Sequence, residues 1–372
     1  MLLLELESNS PVNNNVYNNK AIETVFNEIN LLRTIYLYSG ESNFFVIDKN
    51  MYCKKRLIVY YKLNFIQSIK FYEDSDFRHT ITSELVYNTK EQVDVKLPRK
   101  WWLVTNDSLH NLNSLHYLDL TGNDEIDNVN KLEGCYSLNL SRCTKVNDVS
   151  MLAKLHTLIL TSCRNITDVS MLGKVHKLVL KGCLGINDFS KLGSVHYLDL
   201  SFTNIKDTRG LGNVDTLILV NCENLCDIKS LGKNKSLRIG YNNNIVDVSH
   251  LNDVERLCLF QLPNLVDVSR LGNISRLSIF ECQSIIEVNR LGNVKNLSLV
   301  DLPSLRCIES LGNHDFLMIS SCHLITAKTV KHLITVRKRL ILGREFKGHE
   351  DEDYLRKSIK NVHIMLYDSD DE

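Results

Sequence analysis

Leu155-His156-Thr157-Leu158-Ile159-Leu160-Thr161-Ser162-Cys163-Arg164-Asn165-Ile166-Thr167-Asp168-Val169-Ser170-Met171-Leu172-Gly173-Lys174 holds two hydrophobic periods in succession. Leu158 and Leu160 alternate with Thr157, Ile159 and Thr161, which is the period of a short strand with one buried face. Ile166, Val169 and Leu172 then follow at a spacing of three, which fits a turn or 3₁₀ segment on the far side. Gly173 suits a left-handed turn back into the next strand.

The unit recurs on both sides. Leu118, Leu138, Leu158, Leu178, Leu198, Leu217, Leu237, Leu257, Leu277, Leu297 and Leu317 are separated by ten steps, nine of 20 residues and one of 19. Two positions after each stands Leu or Ile without exception, from Leu120 to Ile319. Gly173 recurs as Gly193, Gly212, Gly232, Gly272, Gly292 and Gly312, with Gly134 one place later in its own turn. Chance does not hold one phase for so long. No single unit can bury its own apolar face, so stability must come from stacking neighbours. Parallel strands about 4.8 Å apart would make the stack about 50 Å long.

The pattern L-x-x-L-x-L-x-x-C-x-x-I resembles the leucine-rich repeat over residues 111–325. The resemblance implies an α/β repeat solenoid, with a curved parallel sheet inside and short 3₁₀ turns on the convex side. The segment Ile166 to Leu172 is similar to the convex side of internalin-type repeats. The phrasing of Leu172 to Leu180 is similar to repeat proteins of giant DNA viruses of amoebae, and the Asn-, Lys- and Ile-rich N-terminus agrees with an AT-rich genome.

Stacking turns each repeat position into a column. Cys143, Cys163, Cys183, Cys222, Cys282 and Cys322 share one column, with Asn123, Thr203, Asn242, Leu262 and Leu302 in its other places. In the repeat family this is a buried structural ladder. Leu is accepted twice, which argues for small buried thiols over a metal site or disulfides. Reduced thiols point to a cytoplasmic setting, the host cytoplasm for a viral protein. Asp148, Asp168, Asp188, Asp207, Asp227, Asp247, Asp267 and Glu287 form an acidic column. Its carboxylates either accept backbone N–H bonds at the start of the convex turn or hold calcium; no glycine-rich ligand loop accompanies them, which favours capping. His116, His156, His176 and His196, interrupted by Tyr136, enter the strands. They could sense pH or bind metal, but the column continues as Asp215, Lys235 and Glu255 without a chemical theme, so a solvated surface is the simpler reading.

The outward strand positions line the concave face, where such proteins bind. Arg238, Arg256 and Arg276 lie there beside Phe260, Phe280 and Val300. Arg and aromatic side chains supply most interface hot spots, and clustered exposed apolar groups suggest contact. The competing reading is that the C-terminal segment folds back over this patch.

Residues 1–20 are Asn-rich and read as disordered. Residues 21–110 carry mixed helical and aromatic segments and form an N-terminal module or a cap, with Trp101 and Trp102 shielding the first turn. The apolar spacing of Val25, Ile29, Leu31, Leu32, Ile35 and Leu37, followed by Leu57 and Val59, resembles an F-box-like helical module, though the Leu-Pro start is absent. Residues 326–372 drop the repeat: Thr326 to Arg339 reads as an amphipathic capping helix, ahead of an acidic tail.

Lys+Arg and Asp+Glu both number 44, so charge gives no reason to expect nucleic acid or an anionic membrane as partner. The N-terminal Leu2-Leu3-Leu4 is too short for a signal-peptide core, and no membrane span is expected. The sequence has no phosphate-binding glycine loop, G-x-S-x-G, H-E-x-x-H or paired CxxC, so neither catalysis nor a cofactor is expected. The expectation is a monomeric interaction scaffold for a protein partner, with an F-box-like ubiquitin-ligase adaptor as the alternative.

Overall fold

The computed structural model describes the strands Leu2–Leu3, Phe45–Ile47, Arg56–Tyr61 and Gln92–Lys96, then residues 104–109, 112–113, 115–330, 333 and 336–343, and the strand Val362–Ile364. The chain divides into two compact units, Met1–Asn165 and Ile166–Glu372.

In the first unit, β1 (Leu2–Leu3), β2 (Phe45–Ile47), β3 (Arg56–Tyr61) and β4 (Gln92–Lys96) form a sheet in that order. The first three run antiparallel and β3 pairs with β4 in parallel. Leu57 and Val59, read above with an F-box-like helical spacing, are strand residues; Arg56-Leu-Ile-Val-Tyr-Tyr61 is rich in the β-branched and aromatic residues that fit a pleated surface. The remainder of that spacing, Val25 to Leu37, and both tryptophans lie outside the described residues. So does the segment read as disordered, Leu2–Leu3 excepted.

The repeats of this unit supply β5 (Tyr117–Asp119), β6 (Ser137–Asn139) and β7 (Thr157–Ile159), parallel and in register, with Leu118 opposite Leu138 and Leu138 opposite Leu158. Only the central Leu of each strand is buried.

The second unit carries β8 (Lys177–Val179), β9 (Tyr197–Asp199), β10 (Thr216–Val220), β11 (Ser236–Gly240), β12 (Arg256–Phe260), β13 (Arg276–Phe280), β14 (Asn296–Val300) and β15 (Phe316–Ser320), each parallel to the next. The 19-residue step causes no slip: Leu198 pairs with Leu217. The residue is lost between Thr203 and Ile205, in a loop, where the preceding turn has Cys183 and Ile186 three apart. Register survives because a one-residue shift inside the strand would turn its buried Leu pair to solvent.

Leu217 and Leu219 face inward, as do the equivalent pairs in each strand, and they meet the Ile, Val and Leu of the far side, such as Ile166, Val169 and Leu172. Each fully buried Leu or Ile contributes roughly 1.5–3 kcal/mol, so the stack is held by its apolar interior. Short 3₁₀ segments, among them Ser150–Lys154 in the first unit and Ser170–Lys174 and Ser269–Asn273 in the second, close the far side. Turn by turn, this is the architecture of a leucine-rich-repeat solenoid.

The recurring glycine has a different reason from the one its spacing suggested. Gly232 is right-handed, with φ −63° and ψ −10°. A Cβ there would fall 2.6 Å from the carbonyl oxygen of His250 in the next turn. Close approach of stacked backbones, not a left-handed turn, excludes a side chain.

The C-terminal expectation also changes. Among the described residues, Thr326 to Arg339 contains the short helical turn Ala327–Val330 and a 3₁₀ position at Leu333, and Arg339 opens a strand, β16 (Arg339–Leu342). β16 pairs in parallel with β15, and β17 (Val362–Ile364) with β16, so the sheet continues past residue 325. Arg339-Leu-Ile-Leu342 supplies the inward Leu340 and Leu342 that a repeat strand requires, both fully buried.

Candidate interaction surface

Arg256 and Arg276 stand opposite one another in register on β12 and β13. Both are exposed, and neither has a hydrogen-bond or ion-pair partner among the described residues. The same row continues through Asn296 and Phe316 to Arg339. Arg238 occupies the next row, where it pairs with Cys258 across the strands. Its guanidinium carbon sits 4.8 Å from the centre of the Phe260 ring, a cation–π distance.

Phe260, expected to project for contact, is only 8 % exposed. It lies opposite Gly240 in register, and Tyr241 meets its ring edge-on at 5.4 Å and 88°. Phe260 is therefore a wall that positions Arg238 and Tyr241. Phe280 and Val300 are half-buried beside it, in register on β13 and β14.

The cysteine column serves the backbone. Cys143, Cys163, Cys183, Cys222, Cys282 and Cys322 are buried thiols, none of them in a disulfide. Cys143 Sγ donates to the Leu120 carbonyl at 3.1 Å, Cys163 Sγ to Leu140 at 3.0 Å and Cys222 Sγ to Leu200 at 3.2 Å. Cys282 instead donates to Phe280, two residues back, and Cys322 donates to Ser320, two residues back, at 3.4 Å and to Leu299 at 3.9 Å. Burial pushes the Cys143 thiol up to about 12 and those of Cys163, Cys222 and Cys282 to about 11. Where Asn holds the place it does more: Asn242 donates to the Cys222 and Leu225 carbonyls and accepts from the Asn244 and Ile245 N–H groups.

The acidic column caps turns. Asp148, Asp168, Asp188, Asp247 and Asp267 each accept the backbone N–H two residues on, at 2.8–2.9 Å. Asp207 accepts from Arg209 N–H and Asp227 from Lys229 N–H in the same way. The backbone N–H groups of Ser150, Ser190, Ser249 and Ser269 hold Asp148, Asp188, Asp247 and Asp267, in that order, below the usual carboxylate range. Glu287, a methylene longer, instead accepts from the Asn289 side chain at 3.4 Å.

The histidine column is more ordered than a plain solvated surface. In the first unit His116, Tyr136 and His156 stack at 4.4 and 4.5 Å. In the second, His176 stacks on His196 at 4.4 Å, and His196 Nδ1 meets Asp215 at 2.7 Å, as does Lys235 Nζ.

A groove absent from the sequence reading lies where strands β10 to β14 end. Asn221, Tyr241, Gln261, Glu281 and Asp301 follow these strands with φ between 48° and 54°. Each keeps its N–H bonded to the next turn, as Tyr241 does to Phe260 at 3.1 Å and Glu281 to Val300 at 3.0 Å. Their side chains line a cavity of about 580 Å³. The column reads Gly122, Arg142, Ser162, Gly182 and Phe202 in the earlier turns and changes here to the amide, acidic and aromatic run Asn221, Tyr241, Gln261, Glu281 and Asp301.

No family model matches this sequence, and no curated protein matches it. Its structural neighbours are leucine-rich-repeat proteins. An internalin (inlF) of Listeria monocytogenes is 21% identical, with 68% of this chain and 82% of that one covered and a TM-score of 0.41. A leucine-rich-repeat protein of Leptospira interrogans is 14% identical, with coverage of 82% and 99% and a TM-score of 0.38. The functional domain of internalin J from L. monocytogenes, described as including a cysteine ladder, is 15% identical, with coverage of 62% and 68% and a TM-score of 0.32.

Among the described residues the polar side chains fall into rows along the stack.

Proposed function

We propose that this protein is a non-catalytic scaffold that holds a protein partner on the open, concave face of its repeat sheet, through Arg238, Arg256 and Arg276 with Phe280 and Val300 beside them. The observation that carries the reading is the pairing of Arg256 with Arg276. Two cations on adjacent strands oppose each other, and no carboxylate of the described chain compensates them. A partner carboxylate seated between the two guanidinium groups would accept charge-assisted, forked hydrogen bonds. Phe260 supports this surface from below, and Phe280 and Val300 offer apolar contact at its edge. The partner is thus an acidic protein surface. A monomeric state, a cytoplasmic setting and the likeness to giant-virus repeat proteins belong to the same proposal.

The test is recovery of partners from amoebal extract with the intact chain and with Arg256→Glu/Arg276→Glu/Phe280→Ala. A protein held by the first and lost from the second supports the reading. Identical recoveries overturn it. Ligase subunits recovered equally with both chains would favour an F-box-like adaptor over a plain scaffold.

A further inference from the structure

The groove at the ends of β10 to β14 differs in sign from the arginine face. Glu223, Glu281 and Asp301 line it, and among the described residues no Lys or Arg does. None of the three carboxylates has an ion-pair partner among the described residues; Glu281 accepts a hydrogen bond from the Gln261 side chain. Tyr241 borders the same cavity with 48 % of its surface exposed, and its ring is fixed edge-on against Phe260. Tyr241, Gln261 and Glu281 hold left-handed backbone, which a residue with a Cβ enters at a conformational cost. The equivalent place in the other turns holds Gly122 and Gly182, but also Arg142, Ser162, Phe202 and Ser321 with the same backbone hand.

We propose that this groove binds an extended peptide segment bearing arginine or lysine. The uncompensated carboxylates attract cations and repel phosphate or nucleic acid. The exposed Tyr241 ring offers a cation–π partner to a guanidinium group within reach of those carboxylates. Asn221, Asn243 and Gln261 carry amides, which present donors and acceptors to a peptide backbone. Five turns at about 4.8 Å span about 19 Å, the length of roughly six extended residues. Pro263 and Pro303 stiffen the lining, so little ordering is needed on binding. This site stands independently of the arginine face and requires a ligand of opposite charge.

The test uses the full chain and a fluorescein-labelled (Arg-Ser)₃ hexapeptide, followed by fluorescence anisotropy at low salt. The peptide binds and (Glu-Ser)₃ does not. Glu223→Gln/Glu281→Gln/Asp301→Asn, near-isosteric and exposed, weakens binding by about tenfold or more. Tyr241→Asn, which suits left-handed backbone, also weakens it. Arg256→Asn/Arg276→Asn leaves it unchanged, so failure here and failure of the scaffold reading are distinguishable. Matching thermal melts by circular dichroism show that the variants are folded. Equal affinity of the triple amide variant, equal binding of (Glu-Ser)₃, no binding by the intact chain, or preference for a neutral hexasaccharide over the peptide would each overturn the proposal.

Discussion

The far end of the Phe260 ring occupies the space that Gly240 leaves by having no side chain: a Cβ on Gly240 would fall 2.5 Å from Phe260 Cε1 and Cε2. The two residues pair in register on β11 and β12, so neither can move along the strand to avoid the other. Gly240→Ala must expel the ring and should destabilise the protein by about 1–3 kcal/mol, the usual range for overpacking. Phe260→Leu in the same chain should recover part of that loss, because the shorter side chain clears the new methyl. The check is a double-mutant cycle by urea denaturation. Additive effects would show that the two side chains do not compete for this space.

Burial of the cysteine column predicts behaviour at alkaline pH. Folded thiols near 11–12 stay protonated where the unfolded chain, near 9, has begun to ionise. Above pH 9 the unfolded state therefore binds fewer protons than the folded state, and stability falls as pH rises from 9 towards 11. Below pH 9 this contribution is fully present. Thermal melts across pH 8–11 should show the decline. Site-resolved alkylation at pH 8 should label exposed Cys226 quickly and the six column thiols only on unfolding.

The strands were legible because inward Leu at a 20-residue period identifies both the element and its neighbour. The columns were legible for the same reason, since stacking makes positions 20 apart adjacent. What the period could not carry was depth and backbone hand. Phe260 reads as outward by alternation, and only the absence of a side chain on Gly240, one turn away, lets it sink. Gly232 reads as a turn glycine, yet its neighbour across the stack is the reason for it. Thr326 to Arg339 has an amphipathic spacing, but the next inward pair, Leu340 and Leu342, draws the chain into β16. The groove row was hidden because left-handed φ at Tyr241 or Glu281 leaves no mark in hydrophobic pattern.

His314 predicts a stabilising substitution. It is fully buried at a place filled by Val254, Ile274 and Val294 in the preceding turns. Its Nδ1 meets the Val294 carbonyl at 2.5 Å, while Nε2 has no partner among the described residues. Burial holds the imidazole below its ordinary value of 6.5, so the unfolded chain takes up a proton that the folded one refuses. Stability is present above pH 6.5 and is lost as pH falls below it. His314→Val should raise the midpoint of urea unfolding at pH 7 and widen its advantage at pH 5.5. An unchanged midpoint at both values would contradict this account.

The acidic column predicts sensitivity at lower pH still. Asp247 accepts the Ser249 N–H at 2.9 Å, which holds its carboxyl below 3.8. The contribution is present above that value and is lost as pH falls through the lower folded one. Asp247→Ala should cost about 1 kcal/mol, as for other lost caps. Asp247→Asn should cost little, since Asn128 already makes the same bond to Asn130 N–H at 3.1 Å. Denaturation of both variants at pH 7 separates the two outcomes.

Arg276 separates stability from binding. Its neighbour in register is Arg256 on one side and Asn296 on the other, and the first of these contacts is between like charges. Like charges directly opposite destabilise a sheet by a few tenths of a kcal/mol. Arg276→Asn therefore continues the row as Asn296 does, and should leave the unfolding free energy unchanged or raise it by up to about 0.5 kcal/mol. If the arginine pair exists to meet a partner carboxylate, the same change should weaken capture of that partner and flatten its salt dependence. A variant that loses stability instead would mean that Arg276 has a structural role within the fold, and the reason for reading the pair as a binding feature would be gone.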